Sequence, residues 1–167
     1  MNIQVREASK QQKPVIARLM QLYLYDFSEI EGHDIGRDGL FVLNLFRLNS
    51  YWIESGRFPF LIYVDDNIAG FILVNSYVCL DKNAGGKSIA EFFVLRKYRR
   101  QGVGKKAAFH VFDRLPGKWE VRQIRANEDG RQFWRNVIAE YTGGRFEEEV
   151  LDNDLWQGRV QSFETGG

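Results

Sequence analysis

The chain has 167 residues and a mass of 19.5 kDa, which is enough for one compact domain and marginal for two. Hydrophobic residues make up 44% of it and charged residues 27%, which excludes a disordered or collagen-like chain. The formal net charge of +1 excludes a chain-wide field that would favour nucleic acid or an anionic membrane surface.

The first half of the chain predicts two helices and three strands. Ser9-Lys-Gln-Gln12 resembles a capping box, and apolar residues recur after it at helical spacing. Four acids mixed with glycines and aromatics predict a loop from Asp26 to Gly39. Asp66-Asn67 is a turn signal between two β-prone runs and predicts an antiparallel hairpin. The predicted elements are a strand at residues 2–8, helices at about 10–25 and 40–55, and hairpin strands at 58–65 and 68–78.

The second half alternates strands and helices. Apolar residues between 102 and 115 gather on one helix face, whereas residues 118–126 alternate as in a strand. The predicted elements are strands at 88–95, 118–126, 145–152 and 155–164, and helices at 102–115 and about 128–141. This order predicts one domain, residues 1–167, with a mixed α/β sheet in one layer and helices on its faces.

The segment from Arg96 to Lys106 is the part of the chain that predicts chemistry. Six of its eleven residues are basic, and Gly102 and Gly104 stand where the next helix begins. A helix N-terminus presents unpaired backbone N–H groups and a partial positive charge, and glycines let an anion approach them. A strand, a basic loop, two glycines and a helix in this order therefore predict a polyphosphate site.

A dinucleotide is one alternative ligand for this segment. The Walker pattern G-x-x-x-x-G-K-[ST] is absent, but Gly102-Val-Gly104-Lys-Lys-Ala107 fits the dinucleotide fingerprint G-x-G-x-x-A. Against that reading, six mostly cationic residues separate the preceding strand from Gly102, and no acid ends the following strand at Ala126-Asn127. The neighbouring hairpin also disfavours the mostly parallel sheet of a Rossmann-type enzyme.

The run Val94-Leu-Arg-Lys-Tyr-Arg99-Arg-Gln-Gly102-Val-Gly104 resembles the acyl-CoA motif [R/Q]-x-x-G-x-[G/A] of GNAT acyltransferases, the acetyl-CoA-dependent N-acetyltransferase superfamily. The resemblance extends to the element order and to Asn127 and Phe133-Trp134. It implies a mostly antiparallel central sheet flanked by about four helices, with acetyl-CoA as cosubstrate. The cofactor-binding residues that it implies are Phe93, Val94, Leu95, Arg99, Arg100, Gln101, Gly102, Val103, Gly104, Lys105, Asn127 and Trp134.

The implied reaction is direct acyl transfer to a primary amine, which needs a general base because an alkyl ammonium has a pKa of ~10. Glu91 is the candidate base: it interrupts an apolar strand and shares a face with Phe93 and Leu95. The family often carries a Tyr as general acid where this chain has Trp134, so Tyr141, two turns further along the helix, is the substitute candidate. The departure at Trp134 also leaves open a non-catalytic acyl-CoA sensor.

The acceptor is the least determined part of the function. In this family the first helices shape the acceptor site. Residues 23–57 here combine acids with aromatics, which would suit a cationic small-molecule or peptide amine. The same composition also fits an ordinary solvated helix pair. A homodimer is compatible with the resemblance, whereas nucleic-acid and membrane partners are not expected. The N-terminus lacks a signal-peptide core, so a soluble, cytoplasmic protein is expected.

The remaining reactive side chains carry little of the predicted chemistry. Cys79 is the only cysteine, which excludes an intrachain disulfide. Its sequence context predicts a small apolar residue rather than a nucleophile. His33 and His110 lie far apart and read as surface or structural residues, so no metal is expected.

Overall fold

A computed structural model of the chain describes residues 1–166, which form seven strands and four α-helices. Their order agrees with the predicted order from the first strand to the last. The elements are β1 Ile3–Glu7, α1 Lys13–Glu31, α2 Leu45–Asn49, β2 Phe58–Val64, β3 Asn67–Asn75, β4 Lys87–Val94, α3 Val103–Arg114, β5 Gly117–Ile124, α4 Glu128–Thr142, β6 Glu147–Asp152 and β7 Gln157–Thr165.

All seven strands belong to one sheet in the order β1-β2-β3-β4-β5-β7-β6. Every neighbouring pair is antiparallel except β4 and β5, which run parallel. Helix α3 makes the crossover between these two strands, as a parallel connection requires. The predicted mixed, mostly antiparallel sheet flanked by about four helices is therefore confirmed.

Two apolar layers hold the helices against the sheet. Helices α3 and α4 cover one face, where Phe112 and Ile138 pack with Trp119 of β5, all fully buried. Helix α1 and the α2 region cover the other face, where Ile16 packs with Phe71 of β3. Because both faces of the central strands are buried, their sequences are almost continuously apolar rather than alternating. Within residues 1–166, no helix combines the length and apolarity that crossing a membrane demands.

Helix α1 is longer than predicted, and the predicted loop from Asp26 is wrong over its first six residues. The apolar series of Tyr23 continues through Phe27 and Ile30 at helical spacing, so the helix keeps a face toward the sheet. It ends at Glu31 because Gly32 adopts φ +72°, a left-handed cap conformation that favours glycine. The acids of this segment therefore lie on a helix, which fixes their directions.

The second helix is shorter than predicted. Asn44 accepts a hydrogen bond from the backbone N–H of Arg47 at 3.0 Å, so it caps the helix and excludes residues 40–44 from it. After Asn49 the chain continues as a single 3-10 turn and not as an α-helix. Phe46 is 88% exposed, which shows that the apolar residues of this segment do not form one buried face.

Candidate active site

Strands β4 and β5 pair over only three residues each and then diverge. Lys87–Ile89 pairs with Trp119–Val121, whereas β4 continues to Val94 and β5 to Ile124. Beyond Ile89, the edge of β4 that faces β5 therefore has no strand partner. The gap opens into a cleft of about 830 Å³, bounded by α1 on one side of the sheet and by α3 and α4 on the other.

A bulge in β4 directs side chains into this cleft. Leu73 of β3 pairs with Glu91 and Val74 pairs with Ile89, which leaves Ala90 as the extra residue. Beyond the bulge, Phe92 packs against Phe133 and Trp134 of α4, while Phe93 packs against Tyr23 of α1. Glu91 lies on the α1 side with Phe93, as strand alternation predicts.

Glu91 is half-buried in the wall of the cleft. Burial raises the pKa of its carboxyl group to about 7, and the nearby Tyr23 hydroxyl partly opposes that rise. Burial, with a further contribution from the charge of Glu91, raises the pKa of Tyr23 well above its ordinary value. The Tyr23 hydroxyl therefore stays protonated near neutral pH, while Glu91 is positioned to exchange a proton in that range.

The start of α3 forms the second part of the site. The first α-helical hydrogen bond runs from the N–H of Lys106 to the carbonyl of Gly102 at 3.1 Å, so the N–H groups of Val103, Gly104 and Lys105 precede any intrahelical acceptor. Gly102 has φ +80°, a conformation that glycine adopts without strain. No acidic residue stands in the first turn, so the positive end of the helix is not neutralised there.

Asp26 of α1 holds two of the basic side chains that precede α3. Arg96 donates to Asp26 Oδ1 at 2.7 Å, and Arg99 donates to Asp26 Oδ2 and, through Nε, to the carbonyl of Val94 at 2.7 Å. Partial burial raises the pKa of Asp26, but the hydrogen bonds from both arginines outweigh it and hold that pKa below its usual value. Sequence reasoning missed this link because it placed Asp26 in a loop.

The cleft brings together most of the predicted site residues. Those that line it are Glu91, Phe93, Val94, Arg99, Arg100, Gly104, Asn127 and Trp134. Leu95, Gln101, Gly102, Val103 and Lys105 belong to the same loop and helix start without forming its wall. Asn127 has a local role as well, since its side-chain oxygen caps α4 by accepting from the N–H of Gly130 at 3.0 Å.

Tyr141, the candidate general acid, is not among the residues that line the cleft. Its hydroxyl donates to Asp113 Oδ1 at 2.7 Å, and its ring packs against Phe109 and Phe112 of α3. Burial, with this bond and charge, raises its pKa to about 12. The seven residues that separate it from Trp134 advance the helix by about 10 Å, so sharing a helix face with Trp134 does not bring it to the same site.

The predicted acid and aromatic residues of the acceptor side assemble only in part. The cleft takes in Tyr23, Asp26, Phe27 and Glu29, whereas Glu31 pairs with His33 at 2.6 Å. Sequence reasoning missed five further polar residues of the cleft wall, which are Arg122, Gln123, Asp129, Gln132 and Asn136. The signal for Arg122 was its place beside apolar residues on a strand, as for Glu91.

Cys79 and His110 lie outside the cleft. Burial is the main cause that raises the pKa of the Cys79 thiol, which disfavours the thiolate that a nucleophile needs. His110 is exposed on α3. Within residues 1–166, no group of three or more His, Cys, Asp and Glu side chains is arranged to hold a metal ion.

Comparison with known proteins adds a family to this geometry. A sequence profile described as the acetyltransferase (GNAT) family matches residues 17–137. No curated protein matches the chain significantly. Among solved structures, a GNAT-family acetyltransferase from Staphylococcus aureus Mu50 is similar, with 20% identity, 98% of this chain and 99% of that chain covered, and a TM-score of 0.63.

Two further structures have the same fold. The PaiA N-acetyltransferase from Thermoplasma acidophilum, in complex with coenzyme A, is 13% identical, with 98% of this chain and 99% of that chain covered and a TM-score of 0.65. The ribosomal-protein-S18-alanine N-acetyltransferase from Escherichia coli is 12% identical, with 98% and 94% covered and a TM-score of 0.60. At these identities the likeness concerns the fold.

Proposed function

Because the chain belongs to the GNAT acetyltransferase family, we propose that it transfers the acetyl group of acetyl-CoA to a primary amine by direct attack. One observation carries the proposal: the cleft between β4 and β5 contains both the start of helix α3, at Gly104, and the half-buried carboxylate of Glu91. The cleft can therefore hold the diphosphate of acetyl-CoA at the start of α3 and place the amine beside Glu91.

The residues at the start of α3 fit a diphosphate. Three backbone N–H groups are free of intrahelical acceptors there, and Arg100 adds an exposed cation. An extended pantetheine arm fits the partnerless edge of β4, where it would take the place of a neighbouring strand. The amide nitrogen of Asn127 remains as a donor at the rim, since capping uses only its oxygen.

The proposed chemistry accounts for both protons that the ammonium loses. Bound acetyl-CoA supplies the thioester, whose C–S bond breaks as the C–N bond to the amine forms, and the departing thiolate takes the second proton of the amine nitrogen and leaves as the CoA thiol. Glu91 accepts the proton that the ammonium must lose, and its pKa of about 7 suits that task near neutral pH. The partnerless N–H groups of β4 are the donors available to the carbonyl oxygen. Tyr23 holds a proton at its hydroxyl beside Glu91.

A non-catalytic acyl-CoA sensor is the second candidate. Trp134, which stands where the family often has a Tyr, packs its ring against Phe92 at 4.8 Å and offers no phenol to a departing thiolate. The dinucleotide alternative is contradicted by the sheet, because only one of its neighbouring strand pairs is parallel.

The test begins with thermal unfolding in the presence of acetyl-CoA, with NAD and ATP as controls. A ligand at ~100 times its Kd stabilises by ~2.7 kcal/mol, which raises Tm by roughly 5–10 °C for a chain of this size. Release of the CoA thiol is then measured with a panel of primary amines. A shift without thiol release for any amine supports the sensor, and a shift with NAD alone would overturn both candidates.

A further inference from the structure

Arg122 is a buried cation on the wall of the cleft to which the proposed reaction assigns no role. It follows Val121, the last β5 residue that pairs with β4. Its side chain is only 9% exposed, yet it lines the cleft. Trp119 and Val121 point toward α3 and α4, so Arg122 points to the opposite face of the sheet, where Glu91 also lies.

The guanidinium group of Arg122 is held rigidly. The rings of Tyr77 and Trp156 lie 5.2 and 5.4 Å from its central carbon. Its Nη1 donates to Glu120 Oε1 at 3.0 Å and to the carbonyl of Tyr77 at 3.2 Å, and its Nη2 donates to Ser88 Oγ at 3.5 Å. A planar guanidinium fixed in this way loses little further freedom when it binds a carboxylate.

Glu120 does not saturate this cation. Its fully buried carboxylate also accepts from the N–H groups of Cys79 and Leu80 and from the amide of Asn83, each at 2.8–2.9 Å. Arginine has five N–H donors, and three of those of Arg122 have acceptors among residues 1–166, which leaves two for a ligand. An arginine needed only to pair with Glu120 would not also have to border the cleft.

We propose that Arg122 forms a carboxylate subsite, so that the acceptor is a short amino acid whose ammonium lies at Glu91 and whose carboxylate lies at Arg122. This inference rests on the proposed acetyl transfer. Parallel strands lie about 5 Å apart where they are paired, and both residues come within two positions of the last pair, Ile89 with Val121. Because both residues also line the same cleft, one acceptor molecule held there can contact the two groups. A cationic amine without a carboxylate leaves the two donors of Arg122 unused.

The test is isothermal titration calorimetry on the full chain saturated with CoA. The probes are the common L-amino acids and, for each, the amino alcohol that keeps the ammonium and replaces the carboxylate by CH2OH. At least one amino acid is expected to bind about tenfold more tightly than its alcohol, as one charged hydrogen-bonded contact implies. Arg122→Gln removes this preference and leaves CoA affinity unchanged.

Arg125→Gln is the matched control. Arg125 is an exposed arginine near the end of the same strand, paired with Asp152 at the surface, and its loss leaves the preference intact. Because Arg122→Gln strands the buried Glu120, Arg122→Lys is the second variant: it keeps the charge but lacks the planar fork, and it loses most of the preference.

Three results would overturn the subsite: no amino acid binds the wild-type protein more tightly than its alcohol, the preference survives Arg122→Gln, or that variant weakens CoA binding instead. Thiol release separates the subsite from the proposed reaction. If amino acids bind with the expected preference but release no thiol, the subsite stands and acetyl transfer fails. If amino alcohols are acetylated as well as amino acids, acetyl transfer stands and the subsite fails.

Discussion

The carboxylate of Asp26 on α1 forms an ion pair with Arg99, the arginine of the R-x-x-G-x-G sequence that precedes α3. Arg99 in turn donates to the backbone carbonyl of Val94, the last residue of β4. The helix on the acceptor side of the cleft is thus joined to the loop on its phosphate side. The pair also shows that Arg99 holds the conformation of this loop, whereas the backbone N–H groups at the start of α3 are the groups proposed to bind the diphosphate.

We expect Asp26→Asn to lower the free energy of unfolding by about 1 kcal/mol at pH 7, since solvent screens the exposed part of this pair. The pKa of Asp26 is lowered in the folded protein, so its stabilisation is complete above the unfolded value of ~3.9 and is lost as pH falls through the folded pKa. Urea unfolding from pH 7 to pH 3 measures this. An equal effect from Asp152→Asn, in an exposed pair with Arg125, would argue against a special role for Asp26.

Glu91→Gln removes the proposed base, and we expect kcat to fall about 10²- to 10⁴-fold with acetyl-CoA affinity unchanged. In the wild-type protein the rate rises with pH and reaches half of its plateau near pH 7, because the carboxylate is the active form. The variant lacks this limb. Tyr141→Phe is the control and changes kcat by less than about twofold, given its distance from the cleft. A pH profile that is the same in wild type and Glu91→Gln contradicts the assignment.

Glu91→Gln is expected to lower kcat but to raise the stability of the folded protein above neutral pH. The pKa of Glu91 is raised to about 7 in the folded protein, above ~4.3 in the unfolded chain, so the folded form loses stability as pH rises between these values. Glu91→Gln is therefore expected to raise the free energy of unfolding at pH 8, by about 1–3 kcal/mol after allowance for solvent in the cleft, and to have little effect at pH 4. Denaturant unfolding at both pH values decides this, and destabilisation at pH 8 would show that Glu91 stabilises the fold.

Tyr23→Phe removes the hydroxyl group that lowers the pKa of Glu91. We expect the acidic limb of the rate profile to move to higher pH, while the plateau rate changes less than in Glu91→Gln. The measurement is kcat against pH for both proteins. A limb that stays in place would mean that Tyr23 contributes packing against Phe93 and no control of the base.

Gly102→Trp is expected to abolish the thermal shift with acetyl-CoA, because a side chain at this position stands before the free N–H groups of α3. The cost to the fold is the left-handed backbone, about 1 kcal/mol, since nothing lies within 4 Å of a Cβ there. Gly85→Trp carries the same backbone strain at a distant turn and retains the shift. Gly104→Trp has the same expected effect on binding but also presses on Phe133, so it is the less selective variant.

Local signals in the sequence predicted most of the fold and half of the site. The strands and α3 follow from apolar periodicity, and the phosphate loop follows from glycines at a helix start, both of which act over a few residues. The end of α1 was misplaced because its acids resemble a loop, although Phe27 and Ile30 continue the helical spacing and line the cleft.

Contacts between distant segments could not be predicted in this way. Asp26 and Arg99 are 73 residues apart, and their pairing depends on how α1 crosses the sheet. Helix spacing placed Tyr141 on the same face as Trp134 but gave no information on which part of α3 that face meets. Arg122 and Glu91 line the same cleft because of the register of β4 with β5, which no local pattern specifies.

Because only three residue pairs join β4 to β5, the sheet consists of two half-sheets. One half-sheet consists of β1 to β4 and the other of β5, β7 and β6, each internally antiparallel, and only three residue pairs join them. The angle between the halves is therefore set by the helices that span them and by whatever fills the gap. In the proposed complex, the pantetheine arm on the partnerless edge of β4 would occupy the position of a further, non-protein strand in this gap.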